Sequence, residues 1–206
     1  MAVIVGVPSD DGISNYNKCY ITGHVGEVEV TVIGYMTDEC QLSFRALWES
    51  PFEGDTVGNA GVLDKTASIT QTIGERTSKT LFNSEQVWQG NEPPEVTITL
   101  RFVAYTNAKS EVDDPIKYLC QFASPELQNE VPISANNGGI QLGGRIPAEA
   151  TFNIGRKVVM PMRISEVNYD VNAPKTKHGN FAYNTVSITA SPKQMVNQSV
   201  IPNHLQ

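Results

Sequence analysis

The sequence predicts a mostly β domain with one short α-helix, on three observations. Strictly alternating apolar and polar segments recur along the chain, Gly, Pro, Asn and Asp punctuate them, and one stretch between two prolines switches to helical spacing. Its 206 residues suit one elaborated domain or two small ones, and 40% apolar content suffices for a core. A single domain is the preferred division, with an insertion at about 49–90, a long loop at about 130–150 and a C-terminal arm over 191–206.

The first strand has Val28, Val30 and Val32 alternating with Glu27, Glu29 and Thr31, and runs to about Tyr35. Met36-Thr37-Asp38-Glu39 reads as a tight turn into a second strand, Cys40 to Trp48, in which Leu42, Phe44 and Ala46 continue the alternation. The two are expected to pair as an antiparallel hairpin. From Glu49 to Gly90 the pattern weakens. Pro51, Gly54, Gly58 and Gly61 break its first part, and the Thr- and Ser-rich run from Leu63 to Lys79 could hold a short helix. Weakly patterned chain of this length points to an insertion with its own task or to a segment ordered by a partner, and the partner is favoured.

Trp88 to Pro94 is a turn-rich lead-in, with both Trp48 and Trp88 in contexts that read as buried or turn-anchoring. Val96, Ile98, Leu100 and Phe102 then share one face of a strand, with Thr97, Thr99 and Arg101 on the other. Asp113-Asp114-Pro115 supplies N-cap chemistry with Pro near the first helical position. Ile116, Leu119 and Cys120 form the apolar stripe of a helix from about Asp114 to Ala123, and Pro125 stops it. That stripe should lie on the sheet, with Leu119 and Ile116 sharing a core with Leu100 and Phe102.

Glu130 to Ala150 contains Asn136-Asn137-Gly138-Gly139 and Gly143-Gly144, residue types that tolerate positive φ, and reads as a long hairpin or an interface loop. No phosphate-loop pattern accompanies these glycines. Phe152 to Val171 is one long extended segment with Val158, Met160, Met162 and Ile164 on one face, and Pro161 marks an edge position or a bulge. Asn184 to Ala190 is the last strand. Ser191 to Gln206 reads as a polar arm with little to pack inward.

Net charge is −7 with 18% charged residues, which argues against a protein that grips nucleic acid phosphates but not against a surface past which nucleic acid slides. No apolar run approaches the roughly 20 residues that span a bilayer, and the first residues lack the pattern of a secretory signal, so a soluble protein made in the cytoplasm is expected. Cys19, Cys40 and Cys120 lack close spacing and read as buried free thiols, an intermolecular disulfide being the alternative.

His24, His178 and His204 stand alone in polar contexts, without metal-site spacing, and read as solvated loop residues. Asp10-Asp11-Gly12 and Asp113-Asp114 lack the pattern of a calcium loop, and no G-x-S-x-G occurs. No enzyme, cofactor or metal is expected. Arg145, Arg156, Lys157, Arg163, Lys175 and Lys177 make the C-terminal half the more basic one. They read as ordinary surface charge or as one side of a heterologous contact in which a basic face meets a neighbour's acidic face.

The succession Trp88-x-Gly90, Pro94, alternating strand, Asp113-Asp114-Pro115-x-x-x-Leu119 and Ser124-Pro125, followed by Phe152-Asn153-Ile154-Gly155 and the extended segment to Asp170, resembles structural proteins of tailed-phage tails. Over roughly Val87 to Pro192 it is most similar to the small baseplate and tube-initiator proteins of contractile tails. The resemblance implies a tail-tube-like β-sandwich or partly closed β-barrel with one flanking helix and long loops, and no catalytic residues. It implies a homo-oligomeric ring, expected to be a hexamer, around the DNA channel in the virion. Baseplate hub and tail-tube proteins would be its neighbours, DNA would pass without specific binding, and Glu27 and Glu29 would serve as acidic lumen residues. Alternatives are a main tail-tube, head–tail connector, capsid decoration or secretion-ring protein, or a carbohydrate-binding β-sandwich.

Overall fold

The alternating segments close on themselves. A computed structural model describes residues 2–49, 86–127, 133–136, 139–142 and 144–206. Strands β1 (Val3–Gly6), β2 (Lys18–Val25), β3 (Val28–Ser43), β4 (Ala46–Glu49), β5 (Val87–Asn91) and β6 (Glu95–Val103) precede a π-helical turn, Lys109–Asp113, and helix α1 (Asp114–Ala123). Strands β7 (Glu126–Leu127), β8 (Ile133–Asn136), β9 (Gly139–Leu142), β10 (Gly144–Arg145), β11 (Ala150–Ile154), β12 (Val158–Tyr169), β13 (Tyr183–Ser191) and the short helix α2 (Ile201–His204) follow.

Six of these strands form a closed barrel in the order β3-β2-β11-β12-β13-β6, with β6 returning to β3. One edge of β3 achieves the closure by serving two partners. Its first half takes β1 in parallel, from Val3↔Val30 to Gly6↔Ile33, and its second half takes β6 antiparallel, from Tyr35↔Arg101 to Ser43↔Glu95. Gly34 sits at the changeover, where an added Cβ would come within 3.1 Å of Leu100 Cβ and of the Phe102 ring. Only glycine allows that approach without displacing the core.

The expected hairpin across Met36–Glu39 does not form. β3 runs straight through, and the extra residues between Met36 and Cys40 bulge against Thr99 of β6. Thr37 Oγ1 donates to the Thr99 carbonyl at 3.0 Å, so one of the polar residues that suggested a turn partners the ladder at the bulge. The hairpin partner of β3 is β2, joined through Gly26-Glu27, with Gly26 at φ +62° in the first central position.

The single strand expected over Phe152–Val171 is likewise a hairpin. Gly155 and Arg156 both have positive φ, 55° and 56°, and the Lys157 amide donates to the Ile154 carbonyl at 2.9 Å, a left-handed turn within the three-residue loop between the paired Ile154 and Val158. The sequence hid it because Gly-Arg is not among the dipeptides that favour this turn. Pro161 lies where β12 has a strand partner on one edge only, and the bulge of β12 falls between Ile164 and Glu166.

The barrel interior is apolar. Ile21, Val30, Val32, Val96, Ile98, Leu100, Phe102, Phe152, Met160, Met162, Val186 and Ile188 are buried, and Ile116, Leu119 and Phe122 of α1 join the same core. α1 lies chiefly on β12, with further contact to β2 and β3. The π-helical turn before it meets β6. Cys120, expected in the buried stripe, is only half-buried, and Phe122 takes that place.

Phe44–Glu92 forms a compact unit of its own. Within it β4 and β5 make an antiparallel ribbon in which Trp48 faces Trp88, so Trp88–Asn91 is strand where a turn-rich lead-in was expected. The helix expected over 63–79 lies outside the described residues. In the long loop, β8 and β9 pair from Ile133↔Leu142 to Asn136↔Gly139, and β7 pairs with β10. Residues 191–206, expected to pack little, fold back instead: Leu205 bridges Val158 and the Gln206 amide donates to the Lys157 carbonyl at 2.9 Å.

Candidate functional site

Two buried ionic clusters organise the loops of the barrel. The first starts from Lys18, which opens β2 with its side chain fully buried. Its ammonium donates to the carbonyls of Pro8 at 2.8 Å and Ser9 at 3.1 Å and to Asp11 Oδ1 at 2.7 Å, which occupies all three donors. Asp11 accepts in addition from the Ile13 amide at 2.9 Å and from the Tyr35 hydroxyl, and the Tyr105 hydroxyl lies 3.5 Å from that of Tyr35. Burial works to raise the Asp11 pKa, but the hydrogen bonds from Lys18, Tyr35 and Ile13 and the charge of Lys18 outweigh it and hold it at about 2. Burial, followed by the bond to Asp11, pushes the Tyr35 phenol up. Asp11 stays ionised and Tyr35 protonated at neutral pH, so the cluster ties residues 8–13 to the barrel and offers no group poised for proton transfer.

The second cluster centres on Glu111 in the π-helical turn. Its carboxylate accepts from the amides of Tyr105 at 2.5 Å and Thr106 at 3.0 Å and from Thr106 Oγ1 at 2.6 Å. Burial raises its pKa, and these bonds more than reverse the effect. Asp113 makes no cap bond to the helix, contrary to the sequence expectation; Asp113 Oδ1 instead accepts from the Phe181 amide at 3.0 Å. The helix start therefore anchors the loop between β12 and β13. Asn184, also buried, donates from Nδ2 to the Asp170 carbonyl at 2.9 Å at the base of that loop.

Leu119, Ile116, Leu100 and Phe102 belong to one core. Glu29 is exposed on β3 opposite His24 of β2, whereas Glu27 is a turn residue and not part of a strand face. Of the basic residues, Arg163 Nε lies 3.8 Å from Glu149 Oε1, and Lys175 Nζ donates to the Val171 carbonyl at 2.8 Å while standing 5.0 Å from the Phe181 ring centre. Arg156 and Lys157 are exposed at their hairpin turn. Cys19 is a fully buried thiol whose pKa burial pushes up, whereas Cys40 and Cys120 are only half-buried, contrary to expectation, and all three are free. His204 is not a solvated loop residue, since Nδ1 lies 2.8 Å from the Val159 carbonyl.

The tryptophans depart most from expectation. Trp48 is 57% and Trp88 52% exposed, and Leu47 and Val87 beside them are exposed as well. Among the described residues no second layer covers this two-stranded ribbon. A cleft of about 540 Å³ lies between the β2–β3 hairpin, the end of α1 and residues 146–150, lined in part by His24, Phe122, Ser124 and Glu126. Ser124 Oγ is engaged with the Cys120 carbonyl at 2.8 Å. Among the described residues no three His, Cys, Asp or Glu side chains are grouped to hold a metal, and no helix is long and apolar enough to cross a membrane.

Reasoning from sequence missed Lys18, and it weighed Asp11 only as part of a calcium-loop candidate, not as the partner of a buried lysine. Lys18 alternates with Tyr20 and Thr22 and so falls on the polar face of β2, where nothing announces burial. No protein-family model and no curated protein matches this sequence.

Proposed function

We propose that this chain is a non-enzymatic structural subunit of a phage tail, one of the copies that form a ring at the junction of baseplate hub and tail tube around the DNA channel. The observation that carries the reading is the six-stranded barrel with one helix packed on it, which agrees with the helix-flanked β-sandwich or partly closed barrel that the resemblance implies and goes further in being closed. The exposed apolar side chains of the β4–β5 ribbon add support, because surfaces of that kind mark protein contacts. The ionic clusters fit a structural role, with every strong donor of Lys18 already used. Glu27 and Glu29, both exposed, suit a lumen past which DNA slides.

Electron microscopy of the purified chain and of the native particle tests this reading. Closed rings, expected to be hexamers with an open channel and contacts above about 1,000 Å² each, support it. A chain that stays monomeric at all concentrations and is missing from every ring of the particle overturns it. A second reading, sugar binding, is favoured by the exposed Trp48–Trp88 pair alone. Saturable change of tryptophan fluorescence with soluble glycans would favour it over the ring.

A further inference from the structure

Over residues 158–162, β12 has a barrel strand on one edge only: β11 pairs with it from Ile154↔Val158 to Ala150↔Met162, whereas pairing with β13 begins at Arg163↔Ser191. The chain's own residues 204–206 occupy the other edge. Leu205 bridges Val158 in antiparallel fashion, Gln206 N–H donates to Lys157 O at 2.9 Å, and His204 Nδ1 lies 2.8 Å from Val159 O.

Three features make this seat exchangeable. The seated segment is anchored through α2, four residues long, too short to hold its own shape in water. It covers β12 loosely, leaving a cavity of about 330 Å³ lined by Met160, Pro161, Pro192, Val196, Val200 and His204. Finally, residues 192–200, between β13 and α2, contain neither helix nor strand, and nine residues of extended chain reach at most about 30 Å. A detachable strand on a long hinge beside a sheet edge is the arrangement that domain exchange uses.

We propose that the β12 edge over residues 157–159 is a strand-acceptor site for the 192–206 segment of a second copy of this chain. The same three contacts then form between copies instead of within one. Because the contacts are identical in both arrangements, protein concentration decides between them. The proposal stands apart from the tail-ring reading, since an exchanged pair forms with or without a ring.

The test uses full-length chains carrying Val158→Cys or Leu205→Cys. Opposed residues of antiparallel strands lie about 4.5–5.5 Å apart, within disulfide reach. An equimolar, oxidised mixture of the two single variants should accumulate a covalent species of twice the 22.5 kDa chain mass, increasing with protein concentration. Each single variant oxidised alone sets the background from the native Cys19, Cys40 and Cys120. A mixture that never exceeds that background overturns the proposal. Ring formation in microscopy is read separately, so failure of exchange and failure of the tail reading remain distinct.

Discussion

The barrel and the β4–β5 ribbon are both antiparallel sheet built from apolar-rich strands, yet their side chains meet opposite fates. In β6 every second residue, Val96, Ile98, Leu100 and Phe102, is buried, because the sheet curls round to face itself and α1 adds further cover. In the ribbon Leu47, Trp48, Val87 and Trp88 all stay exposed. Apolar patterning specifies a strand; burial needs a second surface. The barrel supplies that surface from its own chain; among the described residues the ribbon has none.

Substitutions that separate the two regions run from large to small. Asp11→Ala should be the most damaging, at about 3–5 kcal/mol, since it strands the fully buried Lys18 charge. Chemical denaturation measures this directly, and a loss below about 1 kcal/mol would mean that Lys18 finds water on losing its partner. The same pair sets a pH dependence. A carboxyl held at about 2 when folded, against an ordinary value of 3.8, contributes stability that is complete above that ordinary value and is lost as pH falls towards 2. Stability measured from pH 5 down to pH 2 should therefore fall less steeply in Asp11→Asn than in the parent, with Glu111 supplying a remaining slope of the same sign.

Leu119→Ala should cost about 2–5 kcal/mol, the usual loss for a buried leucine, and a change within about 0.5 kcal/mol would remove α1 from the core. Arg156→Gly should raise stability by about 1 kcal/mol, because it relieves a left-handed backbone that a side chain disfavours. Thermal melts of the two proteins compare them. On the ribbon, Trp48→Ala and Trp88→Ala should each change the stability of the isolated chain by less than about 0.5 kcal/mol. A larger loss would show that these rings pack within the chain, and the contrast with the barrel would collapse.

How much of this was legible in the sequence follows from what each residue pattern encodes. Strands β6 and β13 and helix α1 were readable because their period and their burial agree: Val96 to Phe102, Val186 with Ile188, and Ile116 with Leu119 each face one core. Strand partners were not readable where turn chemistry misled. Thr37-Asp38-Glu39 looked like a turn and forms a bulge, while Gly155-Arg156 looked like strand and forms a turn. The ionic clusters were invisible for a different reason. Lys18 and Tyr35 face each other only once β2 pairs with β3, and the preceding loop then brings Asp11 to both, a proximity that no residue pattern announces. Of the candidate residues, Leu119, Ile116, Leu100 and Phe102 lie in one core, and Glu27 and Glu29 lie at an exposed hairpin without a shared face.

The pairing of Ser43 with Glu95 has a consequence for how this molecule can vary. Everything between them leaves and rejoins the barrel at two positions held by the β3–β6 ladder, so residues 44–94 form one loop whose length enters barrel stability only logarithmically. Doubling such a loop adds about 0.6 kcal/mol to the entropy of closing it. A descendant could therefore lengthen, shorten or replace the inserted unit, and so retune what it meets, while β3 and β6 keep their register.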